Sequence, residues 1–193
     1  MILSSHTATH LLPRLLVSIS FLMLTQASPL AAQISAFEGY TLYAPMSSKT
    51  TTLINMQKQV VHTWQHAIAG GYSVYLLENG NLLRSATLPG AQLRSGAYSG
   101  LIQEIDWNGV VVWDYQYSSA TCIAHHDIEP MPNGNVLIIA WEVKSAAEAT
   151  AKGRTRAAEL WPDHLVEVRP TYPTGGTIVW EWHVWDHLIQ DYD

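Results

Sequence analysis

The stretches LINMQKQVVHTW (Leu53–Trp64) and EIDWNGVVVWDY (Glu104–Tyr115) decide the fold, because the second repeats the first. Ile54 aligns with Ile105, 51 positions later, and the apolar residues on both sides of the turn align as well. A third copy, HLVEVRPTYPTGGTIVWEW (His164–Trp182), has a longer turn. Self-similarity at a fixed period is the signature of a repeat architecture.

A second repeated unit lies between copies of the first. LLENGNLLRS and PMPNGNVLII place Asn79-Gly80-Asn81 and Asn133-Gly134-Asn135 at equivalent positions, 54 residues apart. Asn-Gly between apolar runs predicts a β-hairpin in which both turn residues adopt positive φ. The sequence therefore predicts five successive hairpins, two in each repeat.

Four short strands in a period of about 50 residues are typical of a β-propeller blade. A β-sandwich is the alternative, but sandwiches do not usually repeat their own sequence. We predict an all-β chain that forms an incomplete ring of about two to three four-stranded blades. The Asn-Gly-Asn hairpins form the inner strands, and residues 146–159 form a loop or short helix inserted between two hairpins.

Composition narrows the function. The 193 residues are 48% hydrophobic and 13% charged, as expected for a globular chain. The formal net charge is −6 and the sequence contains no basic run, so nucleic-acid binding is not expected.

The N-terminus predicts export. Arg14 precedes the apolar run Leu15–Leu24, and small residues follow in a pattern that places a cleavage site after Ala27 or Ala32. A retained anchor is the alternative, but the run is shorter than the ~20 residues of a spanning helix. We expect a signal peptide at residues 1–32, a partial propeller at 33–193, a periplasmic or secreted product, and no membrane anchor after cleavage.

The candidate site is His125-His126-Asp127, predicted at the start of an inner strand. The equivalent position of the other inner hairpin holds Gly71-Tyr72-Ser73, so the histidines depart from the repeat. Residues that depart from a structural repeat are candidates for function, and in a propeller this position lies at the mouth of the channel. The alternative is that these side chains only cap backbone groups at the strand start.

The segments GYTLYAP, VVHTW, IQEIDWNGVVVW, HHDIEPMPNGNVLIIAWE and IVWEWHVWDHLIQDYD, in this order, resemble the bacterial arylsulfotransferase (ASST-like) family. The resemblance runs from about Gly39 to the C-terminus. It implies an exported six-bladed propeller that moves a sulfuryl group from an aryl sulfate to a phenol. It further implies no nucleotide donor and no cofactor. The resemblance also implies that a channel histidine is transiently sulfurylated, while other histidines and an arginine hold the sulfate.

Carried over to this sequence, the resemblance assigns His126 or His125 to the family's histidine at the start of an inner strand. Asp127 would then orient one imidazole by accepting its N–H. We take His187, His183 and Arg154 as candidates for substrate binding. Two histidines four residues apart on a helix could also hold a metal, but no third ligand is nearby, so we expect no metal site.

The chain departs from the family because it accounts for only about two and a half blades. We therefore expect the sulfurylated histidine beyond residue 193, and expect the isolated chain to be a fragment without activity. Two other functions stay open at this point. One is a quinoprotein-like propeller dehydrogenase, and the other is a propeller that only binds a partner.

Overall fold

A computed structural model describes residues 37–188, and the fold these residues form is all-β. The chain divides into two units, Met1–Phe37 and Glu38–Asp193, and the strands described for residues 37–188 belong to the second. The predicted signal peptide lies outside the described residues. The strands are β1 Thr41–Tyr43, β2 Thr50–Ile54, β3 Val60–Gln65, β4 Gly70–Leu76, β5 Leu82–Thr87, β6 Gly100–Ile105, β7 Val111–Gln116, β8 Cys122–Pro130, β9 Val136–Glu142, β10 Asp163–Pro170 and β11 Gly176–His183.

The strands form three antiparallel sheets, each a meander in chain order. The first sheet contains β1, β2 and β3, the second contains β4 to β7, and the third contains β8 to β11. All five predicted hairpins are confirmed, and in both four-stranded sheets the Asn-Gly-Asn hairpin comes first. The first sheet carries one further strand, β1, ahead of its hairpin.

Helices are few in residues 37–188. The predicted insertion holds α1, Ala146–Ala151, which Ser145 begins through a capping box with Glu148. A 3₁₀ helix, Val184–His187, follows β11. Neither of these helices has the length and apolar character needed to cross a membrane.

The hairpin turns differ from the prediction in one respect. The Gly80 N–H donates to the Leu77 carbonyl at 2.9 Å, and Gly80 has a φ of 83°, whereas Asn79 is not in the positive region. This is a type I turn followed by a left-handed glycine, so the expectation of two positive-φ residues was wrong. Pro132 precedes Asn133 in the equivalent turn of the third sheet, where the fixed φ of proline suits a type I turn.

Each Asn-Gly-Asn turn is tied to the third strand of its own sheet. The Asn81 side-chain amide donates to Glu104 at 2.6 Å, and the Asn135 amide donates to Glu167 at 2.5 Å. Glu104 is buried, so these hydrogen bonds satisfy a carboxylate that would otherwise be costly to bury. The repeated asparagine and glutamate thus fix the first hairpin against the second.

Tryptophans join neighbouring sheets. The indole N–H of Trp64, in the first sheet, donates to the Asp106 carbonyl in a turn of the second sheet at 3.0 Å. In the same way Trp113, in the second sheet, donates to the Gly175 carbonyl in a turn of the third at 2.8 Å. Both tryptophans are fully buried, and Trp113 belongs to the core shared by the second and third sheets.

Candidate active site

His125, His126 and Asp127 lie inside β8, at a bulge, and not at the strand start that the sequence predicted. Ala124 pairs with Ala140 and Ile128 pairs with Ile138, so the three residues between them oppose only Ile139. A bulge with extra residues bends the strand and turns side chains away from the regular alternation. His126 accordingly adopts a positive φ of 50°, which is uncommon for a side chain with a Cβ.

His125 is buried and held on two sides. It is 3% exposed, and its ring stacks on Trp141 with a centroid separation of 3.9 Å. Its Nε2 lies 3.1 Å from Oδ1 of Asp163. Burial lowers the pKa of His125 to about 4; Asp163 opposes this shift, while His126 and His164 add to it. His125 is therefore a neutral imidazole at neutral pH.

The two histidines contact each other through their Nδ1 atoms at 2.7 Å. A neutral imidazole carries one N–H, and the His125 N–H is best placed on Nε2, where the Asp163 carboxylate accepts it. The Nδ1 atom of His125 is then an acceptor, so His126 donates its own Nδ1–H. This assignment of tautomers leaves Nε2 of His126 with a free lone pair.

His126 is exposed, and the loop between β5 and β6 positions its backbone. Its N–H donates to the Ala97 carbonyl at 3.0 Å, and the Ser99 N–H donates to the Ala124 carbonyl at 2.9 Å. Tyr72 lies in a bulge of β4, where residues 71–73 oppose only Ser85, and its ring lies 5.7 Å from the His126 ring. The free Nε2 atom thus belongs to a side chain that solvent and a ligand can reach.

Asp127 does not make the contact that was predicted for it. Its Oδ1 accepts the Tyr75 hydroxyl at 3.2 Å and the Ile128 N–H at 2.8 Å. The carboxylate that orients an imidazole is Asp163, 38 residues after His125. Asp127 instead accepts a hydrogen bond from Tyr75. Burial, and then the charge of Asp127, raises the pKa of the Tyr75 hydroxyl.

His183 belongs to a neighbouring cluster. Its Nδ1 lies 3.1 Å from Oε1 of Glu142, and its ring stacks on His164 at 5.0 Å. His164 is buried, and its Nε2 is 2.8 Å from the Tyr117 hydroxyl. Because His183 is the last residue of β11, the interpretation that it shares a helix face with His187 was wrong.

The other two predicted residues lie apart from the histidine pair. His187 stacks on Trp182 at 5.0 Å, and Arg154 Nε donates to the Arg156 carbonyl at 2.9 Å. None of the contacts described for residues 37–188 joins either residue to His125 or His126. In the same part of the chain no group of three His, Cys, Asp or Glu side chains is arranged to hold a metal.

No pattern in the sequence indicates Asp163 and Trp141, the two residues that fix His125. Neither follows a motif. Trp141 pairs with Ile123 and Asp163 pairs with Trp141 across three adjacent strands, so both approach His125 only through the register of the third sheet. A correct strand alignment would have placed them beside the bulge.

The fold and site define an all-β repeat protein whose candidate chemistry rests on a paired imidazole oriented by a carboxylate. The model of the arylsulfotransferase (ASST) family matches residues 50–193, and the chain belongs to this family. This confirms the resemblance seen in the sequence and supports an arylsulfotransferase-type function acting on aryl sulfates and phenols. No curated protein matches the chain significantly.

Proposed function

We propose that this protein transfers a sulfuryl group from a phenolic sulfate ester to a phenol, without a nucleotide donor, at the bulge of β8. The observation that carries the proposal is the 2.7 Å contact between the Nδ1 atoms of His125 and His126. This contact leaves the exposed Nε2 of His126 with a free lone pair, and a phenol that gives up its proton needs such an acceptor beside it.

The three sheets are proposed to be blades of a propeller, with β4 and β8 as neighbouring innermost strands. Two observations support this arrangement. The sheets are successive meanders that pack on one another in chain order, and the bulges of β4 and β8 bring Tyr72 and His126 side by side. The candidate site then faces the axis, where a small ligand is surrounded by several blades.

The chemistry proceeds in two steps through a sulfo-histidine. In the first, a nucleophilic imidazole forms an N–S bond as the bond between sulfur and the donor's phenolic oxygen breaks. In the second, the acceptor phenol forms its S–O bond as the N–S bond breaks. In its protonated form His126 gives the Nε2 proton to the departing phenolate in the first step, and the neutral Nε2 then takes the proton of the acceptor in the second. His125 and Asp163 stabilise the protonated His126 through the Nδ1 contact.

The test compares donors whose phenols differ in acidity, using the protein produced from its complete gene. The release of phenol is measured in a single turnover with phenyl sulfate and with 4-nitrophenyl sulfate. We expect His126→Ala to lose about 100-fold or more with phenyl sulfate, which needs a proton on its leaving oxygen. The loss with 4-nitrophenyl sulfate is expected to be much smaller, because 4-nitrophenolate leaves without one.

The matched control is His62→Gln, which changes a histidine that stacks on Trp107 between the first and second sheets. It should behave as the wild type with both donors. An equal loss with both donors in His126→Ala would contradict the proton-transfer role. Unchanged release in that variant would remove His126 from the site, and a wild-type protein inactive with both donors would overturn the function.

Export is proposed on the sequence pattern alone. The secreted product is expected to begin at Ser28 or Gln33, after cleavage at one of the two predicted sites. N-terminal sequencing of the periplasmic or extracellular fraction tests this proposal. An intact Met1 on a membrane-bound product would contradict it.

A further inference from the structure

A cavity of about 180 Å³ lies between the second and third sheets, at the end where their Asn-Gly-Asn turns lie. Space of about 150 Å³ is enough for a molecule of the size of benzene. Among the hydrogen bonds and ring contacts described for residues 37–188, none joins a residue of its lining to His125 or His126. The cavity is therefore separate from the candidate active site.

The hairpin of β10 and β11 forms one wall of this cavity. Glu104 pairs with Trp113 in the second sheet, whereas the equivalent Glu167 pairs with Trp180 in the third, so the third sheet has a hairpin four residues longer. Its turn extends over the second sheet, where the Tyr172 hydroxyl donates to Oε2 of Glu104 at 2.5 Å. The longer hairpin is thus another departure from the repeat, and it brings a lining residue of the cavity into place.

Glu104 lies in the wall of the cavity. It is 5% exposed, and its Oε1 accepts the side-chain amides of Asn79 and Asn81 at 3.3 and 2.6 Å. Asn79 and Tyr172, which each hold one of the two carboxylate oxygens, line the same cavity. A carboxylate oxygen can accept two hydrogen bonds, so Oε2, which accepts the Tyr172 hydroxyl, can take one further donor.

The surroundings of Glu104 are acidic and lack a cation. Within the described part of the chain, no Lys, Arg or His forms an ion pair with it. The cavity has no basic side chain in its lining, and neither does the open groove of about 530 Å³ that shares Leu77 and Met131 with it. That groove adds the exposed carboxylate of Glu78. A cleft lined by one sign of charge attracts ligands of the opposite sign, and buried carboxylates are normally paired.

The other walls of the cavity suit an apolar body. The rings of Trp113 and Tyr172 both line it, with their centroids 6.3 Å apart, and Leu83 and Met131 add aliphatic surface. Aromatic faces attract an ammonium group, and apolar side chains favour a hydrocarbon ligand over water. The cavity therefore combines a carboxylate, hydrogen-bond acceptors and aromatic rings in one place.

We propose that this cavity binds a small organic ammonium ion whose apolar part has about the size of one six-membered ring. The ammonium group donates to the free acceptor site of Oε2 of Glu104 and compensates the buried carboxylate. The apolar part packs against Trp113 and Tyr172, and Glu78 attracts the cation towards the opening. The site is independent of the function proposed for the histidine bulge.

The first experiment compares three probes that share one ring and differ in charge. Calorimetric titration of the wild-type chain at pH 7 and constant ionic strength uses benzylammonium, benzyl alcohol and benzoate. We expect saturable binding of benzylammonium with a Kd of about 1 mM, at least about 10-fold weaker binding of benzyl alcohol, and no binding of benzoate. The absence of saturable benzylammonium binding, or equal affinity for the alcohol, would overturn the proposal.

A matched pair of variants tests the role of Glu104. Glu104→Gln removes the charge and keeps the shape, so it should weaken benzylammonium binding by about 10-fold or more. Glu167→Gln is the control, because Glu167 holds Asn133 and Asn135 in the same way but does not line the cavity. It should change the affinity by less than about twofold. Equal weakening in both variants, with circular dichroism showing that both are folded, would contradict the assignment.

The last measurement needs no substitution of Glu104. In wild-type protein labelled at its methionine methyl groups, benzylammonium should shift the Met131 signal with the same midpoint as the calorimetric titration. Met131→Leu identifies this signal among those of the five methionines. Saturable binding that leaves the Met131 signal unmoved would place the ligand elsewhere and overturn the proposal.

Discussion

The bulges of β4 and β8 have the same strand register but contain different side chains. In β4, Gly70 pairs with Ala86 and Val74 pairs with Arg84, so residues 71–73 oppose only Ser85. The bulge in β8 has the same spacing 54 residues later, with residues 125–127 opposite Ile139. One bulge contains Gly-Tyr-Ser and the other contains the histidine pair and Asp127.

The two bulges satisfy their backbone donors in different ways. In β4 the Ser85 hydroxyl accepts the N–H groups of Tyr72 and Ser73, at 3.1 and 3.2 Å. In β8 the equivalent of Ser85 is an isoleucine, and the His126 N–H donates to the Ala97 carbonyl of a loop instead. Because the loop takes over this role, the bulge of β8 has room for imidazoles. The two bulges thus share an irregular backbone. The change of hydrogen-bond acceptor in β8 allows its bulge to carry side chains that can take part in catalysis.

Exchanging the residues of the two bulges has the largest expected effect. His126→Tyr, which introduces the residue of the β4 bulge, should reduce sulfuryl transfer to phenol about 100-fold or more. The double variant Tyr72→His/His126→Tyr should stay inactive, since the β4 bulge has Gly71 in place of His125 and therefore no relay to a carboxylate. Transfer rates from a chromogenic aryl sulfate, with circular dichroism to confirm folding, test both. Activity restored by the double exchange would mean that the two bulges are equivalent.

The next largest effect is a pH dependence of stability, which His125 in the β8 bulge is expected to cause. The pKa of His125 is lowered to about 4, mainly by burial, while an unfolded histidine titrates near 6.5. As the pH falls from 6.5 to 4, the unfolded chain takes up a proton that folded His125 does not, so the free energy of unfolding decreases. At 1.4 kcal/mol per unit, His125 accounts for at most about 3 kcal/mol of this decrease.

Urea denaturation at pH 7.5 and pH 4.5 measures the change. Wild-type protein should lose more stability between these values than His125→Gln does. The variant keeps a residual decrease because His66 and His164 also have lowered pKa values, both mainly through burial. An identical decrease in the two proteins would show that folding does not lower the pKa of His125.

The sequence predicted the hairpins well and the site only in part. Repeated Asn-Gly turns and alternating apolar residues are local signals, so the strands and their pairing within hairpins could be read directly. His125 and His126 were found because they interrupt the repeat. The bulge that holds them was not, since it follows from the register of β8 against β9, and no turn residue marks it.

The contacts of the site depend on tertiary structure. Asp163 approaches His125 across two strand pairings, which no local motif marks. His183 illustrates the converse error. The four-residue spacing of His183 and His187 suggested a helix face, but strand β11 continues up to and includes His183.

Gly71 tests why the β4 bulge cannot hold a histidine. A Cβ at this position would lie 2.5 Å from the Ser85 hydroxyl and 3.1 Å from its Cβ, closer than packing allows. Gly71→Ala should therefore reduce the free energy of unfolding by about 1–3 kcal/mol. Gly96→Ala is the matched control, because no atom lies within 4 Å of its added Cβ. Urea midpoints compare the two, and equal stability would show that Ser85 moves aside without cost.

The smallest expected effect concerns two equivalent hairpin turns of the repeat, between β2 and β3 and between β6 and β7. Lys58 has a φ of 62° in the turn of the first sheet, and its counterpart 51 positions later is Gly109, with a φ of 87°. Both N–H groups close the same hydrogen bond, to Asn55 at 2.9 Å and to Asp106 at 3.0 Å. A left-handed conformation costs a residue with a Cβ about 1–2 kcal/mol. Replacing that residue with glycine removes this strain, but glycine loses more backbone entropy on folding, which offsets part of the improvement.

Lys58→Gly should consequently raise the free energy of unfolding by about 0.5 kcal/mol, and Gly109→Lys should lower it by a similar amount. Lys58→Ala removes the same charge but keeps a Cβ, so it should not be stabilising. Chemical denaturation of the three variants beside the wild type measures these differences. A loss of stability in Lys58→Gly would show that the lysine side chain contributes more than the strained backbone costs, and the two turns would then be equivalent in shape but not in energetics.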